Sequence, residues 1–281
     1  MDKRNGAVGA HPGNHKTMEN KMCAAGRPSF GSFSEVAQAY PKRPPYSRRV
    51  LKILVEHVKT LTDSPIFADI GAGTGATAYA LADMGLSGYA IEPDSEMVAT
   101  GKRIGAARPS VSWINAPGEC TGLADGSLDW VCYSTSFHWT NTSDALRECM
   151  RILRSRAFFT ITCFLTDLET DPFQIEIESR IRDLAPALRR ARPPIVGEMS
   201  TYETLLNQYP GLGNCIALTS TEAVPMTEEQ YINYWKSSHD IPSQVSPEVW
   251  NSILQMIAET FRSRRPASLR FRSAAWHAQR G

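Results

Sequence analysis

The sequence predicts a doubly wound α/β fold: a mostly parallel, seven-stranded, Rossmann-like sheet with helical lid insertions. Three observations predict it. Short apolar runs alternate with helical runs from Ile66 to Cys163. A glycine-rich turn joins the first apolar run to the first helix, and an acidic residue closes the second. Strand, helix, strand at this cadence implies right-handed crossovers and a parallel sheet covered on both faces.

Residues 1–29 are rich in Gly, Asn, Lys and His and lack apolar periodicity, so a flexible arm is expected, with a second possible start at Met18. Phe30 to Tyr40 reads as a short amphipathic helix, broken by the prolines of Pro41-Lys-Arg43-Pro44-Pro45-Tyr46. Ser47 caps a helix in which Val50, Leu51, Leu54, Val55 and Val58 recur at helical spacing. Ile66–Ile70, Gly88–Ile91, Val111–Ile114, Leu128–Tyr133 and Ala157–Phe164 are the expected strands. Helices are expected over Ala76–Met84, Asp94–Ala107 and Asn141–Leu153. After Phe164 come helical stretches, a strand from Cys215 to Val224, two more helical stretches and a last strand from Ser268 to Ala278. This order fits an antiparallel edge added to the parallel sheet. Residues 30–164 then form the ligand-binding core with its N-terminal cover, and 165–281 the lid plus the last two strands.

Composition excludes several classes. Of 281 residues, 30 are Lys or Arg and 29 Asp or Glu, and a net charge of +1 offers nothing to a nucleic acid or an anionic membrane. No window approaches the roughly 20 unbroken apolar residues of a membrane span. The N-terminus has no apolar signal core, so a cytoplasmic protein is expected. Cys23, Cys120, Cys132, Cys149, Cys163 and Cys215 form no Cys-x-x-Cys pair and lie at no zinc spacing to histidine. Neither a metal site nor a disulfide framework is expected.

The chemistry-bearing segment is Asp69-Ile-Gly71-Ala-Gly73-Thr-Gly75. A turn stripped of side chains lets a ligand approach the backbone, although the same glycines serve a plain tight turn. The spacing is Gly-x-Gly-x-Gly, not Gly-x-Gly-x-x-Gly, and no Gly-Lys-Ser/Thr follows, which argues against a phosphate-cradling loop. Glu92, at the end of the second strand, is placed to accept both ribose hydroxyls of a nucleoside.

These blocks resemble the class I S-adenosylmethionine-dependent methyltransferases, most closely the type 11 small-molecule group related to trans-aconitate methyltransferase. The resemblance runs from about Phe30 to the C-terminus. It rests on Asp69–Gly75, Ile91-Glu92-Pro93-Asp94-Ser95-Glu96-Met97, Gly118-Glu119, Leu123–Asp129, Phe137-His138-Trp139 and Leu146–Leu153. It implies S-adenosylmethionine as cofactor, bound by Asp69, Gly71, Gly73, Gly75, Glu92, Pro93, Met97, Gly118, Glu119, Ser134, Thr135 and Phe137, with Tyr40 and Arg43 in an N-terminal cover. His138 is the candidate general base, or else a hydrogen-bonded wall of the pocket. Tyr133 and Trp139 are candidate aromatic partners of the sulfonium, and His239 is a candidate lid residue facing substrate.

Two departures stand out. Arg154-Ser-Arg-Ala157 replaces the Pro-Gly-Gly usual before the fifth strand, and Thr135 stands where Gln is frequent. The implied reaction is methyl transfer to a small molecule by in-line displacement. The Thr135 departure points to an alternative, in which the cofactor's own amine attacks its γ-carbon and releases methylthioadenosine.

Overall fold

The computed structural model describes residues 46–190, 199–238 and 240–281. The arm at 1–29, the Phe30–Tyr40 helix, Tyr40, Arg43 and His239 lie outside the described residues.

Helix α1 (Arg48–Val58) begins where Ser47 accepts the Val50 amide, and it buries Val50, Leu51, Leu54, Val55 and Val58. Strand β1 (Ile66–Ile70) leads into α2 (Ala76–Ala82). Strand β2 (Ser87–Ile91) is followed by α3 (Ser95–Ile104), whose N-cap Asp94 accepts from Glu96 N and Met97 N. Then come β3 (Val111–Ile114), β4 (Leu128–Ser134), a single 3₁₀ turn (Phe137–Trp139), α4 (Thr142–Ile152) and β5 (Leu153–Thr166). The remainder is α5 (Pro172–Leu184), α6 (Met199–Gln208), β6 (Leu212–Val224), α7 (Glu228–Lys236), α8 (Pro247–Arg264) and β7 (Leu269–Arg280).

Among the described residues, all seven strands form one sheet in the order β3-β2-β1-β4-β5-β7-β6. The first five run parallel, whereas β7 is antiparallel to both β5 and β6. On one face, Phe67, Trp130 and Phe158 pack against Leu51, Leu54 and Val55 of α1 and Leu81 of α2. On the other, Val131, Tyr133, Phe159 and Trp276 meet Leu146 and Cys149 of α4 and Tyr202 and Leu206 of α6. A third cluster joins Ile177 and Ile181 of α5, Tyr231 and Trp235 of α7 and Ile257 and Phe261 of α8 to Leu269 and Phe271 of β7. Val224 and Leu269, at the two ends of the α7–α8 excursion, are paired rungs of the sheet.

Strand β5 starts four residues earlier than the sequence indicates. Leu153 pairs with Leu128 and the next rung is Phe158 with Trp130, so the polar Arg154-Ser-Arg stretch bulges out of the ladder, with the Arg154 guanidinium 2.6 Å from Asp129 and Arg156 at a left-handed φ of 67°. A positive-φ arginine thus makes the bend for which a glycine is more usual. Cys132, Cys149, Cys163 and Cys215 are free thiols, while Cys120 is disulfide-bonded. Among the described residues no helix is long and apolar enough to cross a membrane, and no three His, Cys, Asp or Glu side chains could share a metal ion.

Candidate functional site

The glycine loop folds back onto the end of β2, because Gly71 N and Ala72 N both donate to Ile91 O, at 2.8 and 3.0 Å. Gly71, Gly73 and Gly75 have φ of 68°, 58° and 90°, a region open to glycine and costly for other residues. The glycines answer different demands. A Cβ on Gly71 would lie 2.5 Å from Ser136 Cβ, and one on Gly75 would lie 2.6 Å from the Tyr79 ring and 2.9 Å from the Trp113 ring. Two of the three therefore leave room for the protein itself.

Gly73 instead donates its N–H to Glu92 Oε2 at 2.8 Å, and Asp94 N donates to Glu92 Oε1 at 3.0 Å. The carboxylate is 7% exposed, yet each oxygen accepts only one of these bonds, leaving each a second lone pair. Burial pushes the Glu92 pKa up, opposed by the Asp94 and Gly73 amides. Asn115 Nδ2 donates to Glu92 O (2.8 Å) and Pro93 O (3.1 Å), fixing the turn that presents the acid.

Beneath the loop, Asp69 is almost wholly buried and accepts from Ala78 N at 3.1 Å, which ties β1 to α2. Burial raises its pKa to about 7, against the Ala78 hydrogen bond. Asp69 supports the loop from behind.

The end of β4 forms the opposite wall. Tyr46 donates to Ser134 O at 2.7 Å, and Ser136 Oγ donates to Ile70 O at 2.6 Å. His138, in the 3₁₀ turn, is half-buried with its ring 4.8 Å from that of Trp139. Burial lowers its pKa to about 4, so the imidazole is neutral at physiological pH.

Glu92, Gly73, Pro93 and the end of the glycine loop thus gather at the carboxyl ends of β1 and β2. His138 and Trp139 lie beyond β4. Several other residues occupy different places from those expected. Tyr133 is fully buried, edge-on to Phe137, and its hydroxyl is directed at Gly118 O (3.4 Å), so it is a core residue with no access to a reacting group. Phe137 is 2% exposed among Tyr133, Phe159 and Tyr202, and Met97 is 1% exposed; both anchor their elements from inside. Gly118 gives room to Ile70 and Tyr133, and Glu119 Oε1 accepts from Asn141 N at 2.9 Å, before α4. Thr135 Oγ1 accepts from Phe164 N at 3.1 Å. That bond commits it to β5 and removes the pointer toward cofactor cyclisation. Ser136 and Asn115 went unread, because neither belongs to a motif and both act through the main chain.

Residues 68–161 match the methyltransferase domain family. Uncharacterized methyltransferases of Mycobacterium tuberculosis and Mycobacterium bovis are 30% identical over 124 residues, 44% of this chain and 48% of theirs, so the chain spans about half the length of these curated relatives. A structure from Anaeromyxobacter dehalogenans, described provisionally as a type II methyltransferase, is 23% identical. It aligns with 85% of this chain and 97% of its own at a TM-score of 0.57. A provisionally assigned methyltransferase from an antibiotic biosynthesis pathway of Anabaena variabilis is 19% identical and covers 83% and 98%, at a TM-score of 0.54. Both share the fold.

Proposed function

We propose that this chain is an S-adenosylmethionine-dependent methyltransferase acting on a small molecule. The observation that carries the reading is the Glu92 carboxylate, buried and fixed by two backbone amides, with one lone pair left on each oxygen. Two vicinal ribose hydroxyls are the complement of that arrangement. The match of residues 68–161 to the methyltransferase domain family supports the same cofactor.

The cofactor supplies a methyl group on an already activated sulfonium. What remains for the protein is orientation and exclusion of water. Glu92 receives the ribose, and the side-chain-free Gly73 allows close approach of the ligand to the backbone. A His138 pKa of about 4 makes a weak base. Its neutral ring serves better as a hydrogen-bond acceptor that holds an acceptor's O–H or N–H and so aims the lone pair at the methyl, the proton passing to solvent after transfer, than as a store for the proton. The near-zero net charge favours a small acceptor over a polyanionic one.

The test is calorimetry with S-adenosylhomocysteine. Wild type is expected to bind. Glu92→Ala loses hydrogen bonds to a charged group worth about 1.5–3 kcal/mol each, so its affinity falls at least tenfold. Equal affinity in the two proteins, or no binding by either, refutes the reading.

A further inference from the structure

We infer that Thr135 is a positioning residue: it bridges β4 to β5 and thereby sets the Ser136–Trp139 turn and the His138 ring. The inference rests on the proposed function only for its ligand readout.

Thr135 has φ of 55°, a left-handed conformation that β-branched residues rarely adopt. Such outliers persist where the surroundings over-determine them. Here the surroundings are four bonds on three consecutive residues. Tyr46 holds Ser134 O, Thr135 N donates to Thr162 O at 2.7 Å, Phe164 N donates to Thr135 Oγ1, and Ser136 Oγ holds Ile70 O. The tripeptide is thereby fastened to the residue before the α1 cap, twice to β5 and once to β1.

The choice of threonine is informative. The β4–β5 ladder stops at the Ser134–Thr162 rung, while β5 runs on to Thr166. The hydroxyl of Thr135 gives the Phe164 N–H an acceptor beyond that last rung. Glycine would accept the backbone angle without strain but would offer no acceptor. The chain keeps the hydroxyl and tolerates the angle. Downstream, Ser136 O accepts from Trp139 N at 3.0 Å, Phe137 O accepts from Thr140 N at 3.1 Å, and the Phe137 ring is buried. His138 therefore sits on one turn with both ends anchored, and Thr135 supplies the upstream bonds to β5 beside the Ser136 bond to Ile70 O.

The experiment compares Thr135→Val, Thr135→Ser and Thr135→Gly in the full chain, isotope-labelled at histidine, with His138→Gln assigning the resonance. In wild type, burial lowers the His138 pKa to about 4, so its ring is expected to stay neutral from about pH 5 to 8. Thr135→Val removes the acceptor, and its His138 titration is expected to rise toward the ordinary value of about 6.5. S-adenosylhomocysteine affinity is expected to fall about tenfold, because Ser136, next in the chain, abuts Gly71 of the glycine loop. Thr135→Ser keeps the acceptor and is expected to match wild type in both readouts. If Thr135→Val lacks a cooperative thermal transition, Thr135→Gly carries the same expectation, since it too lacks the hydroxyl. A folded Val or Gly variant with His138 and affinity unchanged overturns the inference, as does a Ser variant as perturbed as Val. A wild-type chain that does not bind S-adenosylhomocysteine refutes the proposed function instead, and the histidine titration still decides the role of Thr135.

Discussion

Gly71→Ala isolates the collision that shapes the site. The new methyl would stand 2.5 Å from Ser136 Cβ and 2.9 Å from Ser136 Oγ, on a residue with φ of 68°. An L-residue in that region costs about 1–2 kcal/mol. Overpacking against a fixed neighbour adds about 1–3 kcal/mol. Ser136 is fixed, because its hydroxyl holds Ile70 O. The expected loss is about 2–5 kcal/mol, read as a lower urea midpoint at unchanged slope. Gly85→Ala is the control: its φ is 87° and nothing lies within 4 Å of the added methyl, so it carries the conformational cost alone. Ser136→Gly in the Gly71→Ala background removes the clash, and the double-mutant cycle is expected to show a coupling of about 1–3 kcal/mol. Equal losses at Gly71 and Gly85, or additive effects of Gly71 and Ser136, refute the reasoning.

Three further outcomes are expected. Asp69 has a folded pKa of about 7 against an ordinary 3.8, so the native state binds the extra proton between those values. Its contribution to stability is complete below 3.8 and is lost as pH rises to about 7; urea melts of Asp69→Asn should show a shallower fall over that window than wild type. Thr160→Val orphans two buried groups, since Trp130 Nε1 donates to Thr160 Oγ1 at 2.7 Å and His277 Nδ1 lies 2.7 Å from the same hydroxyl. A loss of about 1–3 kcal/mol for each should appear in chemical denaturation, and Thr160→Ser should restore most of it. Gly73→Val should abolish S-adenosylhomocysteine binding in calorimetry, because it fills the approach to the backbone beside Glu92.

The parallel part of the sheet was legible because each strand is a short apolar run and helices follow β1, β2 and β4, so Ile66–Ile70 and Val111–Ile114 needed no adjustment. The place of Glu92 at the end of β2 was legible too, because its distance from the glycine loop reflects one β-α-β unit. The start of β5 was not, since its first rung is Leu153 with Leu128 and a bulge at Arg154–Arg156, beside the Arg154–Asp129 ion pair, separates it from the apolar run. Tyr133 and Phe137 misled for a different reason. An aromatic at the end of a central strand can face ligand or core, and only packing decides. On β4 all seven residues are buried, so alternation gives no sidedness to read. The loop glycines carried a motif, but the reasons for Gly71 and Gly75 lie in Ser136, Tyr79 and Trp113, which the motif does not contain.

Because Val224 and Leu269 face each other across one rung, the chain leaves the sheet for α7 and α8 and returns at the same point. An excursion with joined ends can lengthen at little entropic expense and leaves the surrounding register untouched. Helices α7 and α8 can thus be remodelled as a cassette while the Glu92 end of the sheet stays fixed. On the reading proposed above, the part of the molecule free to vary in this way is separate from the Glu92 end of the sheet.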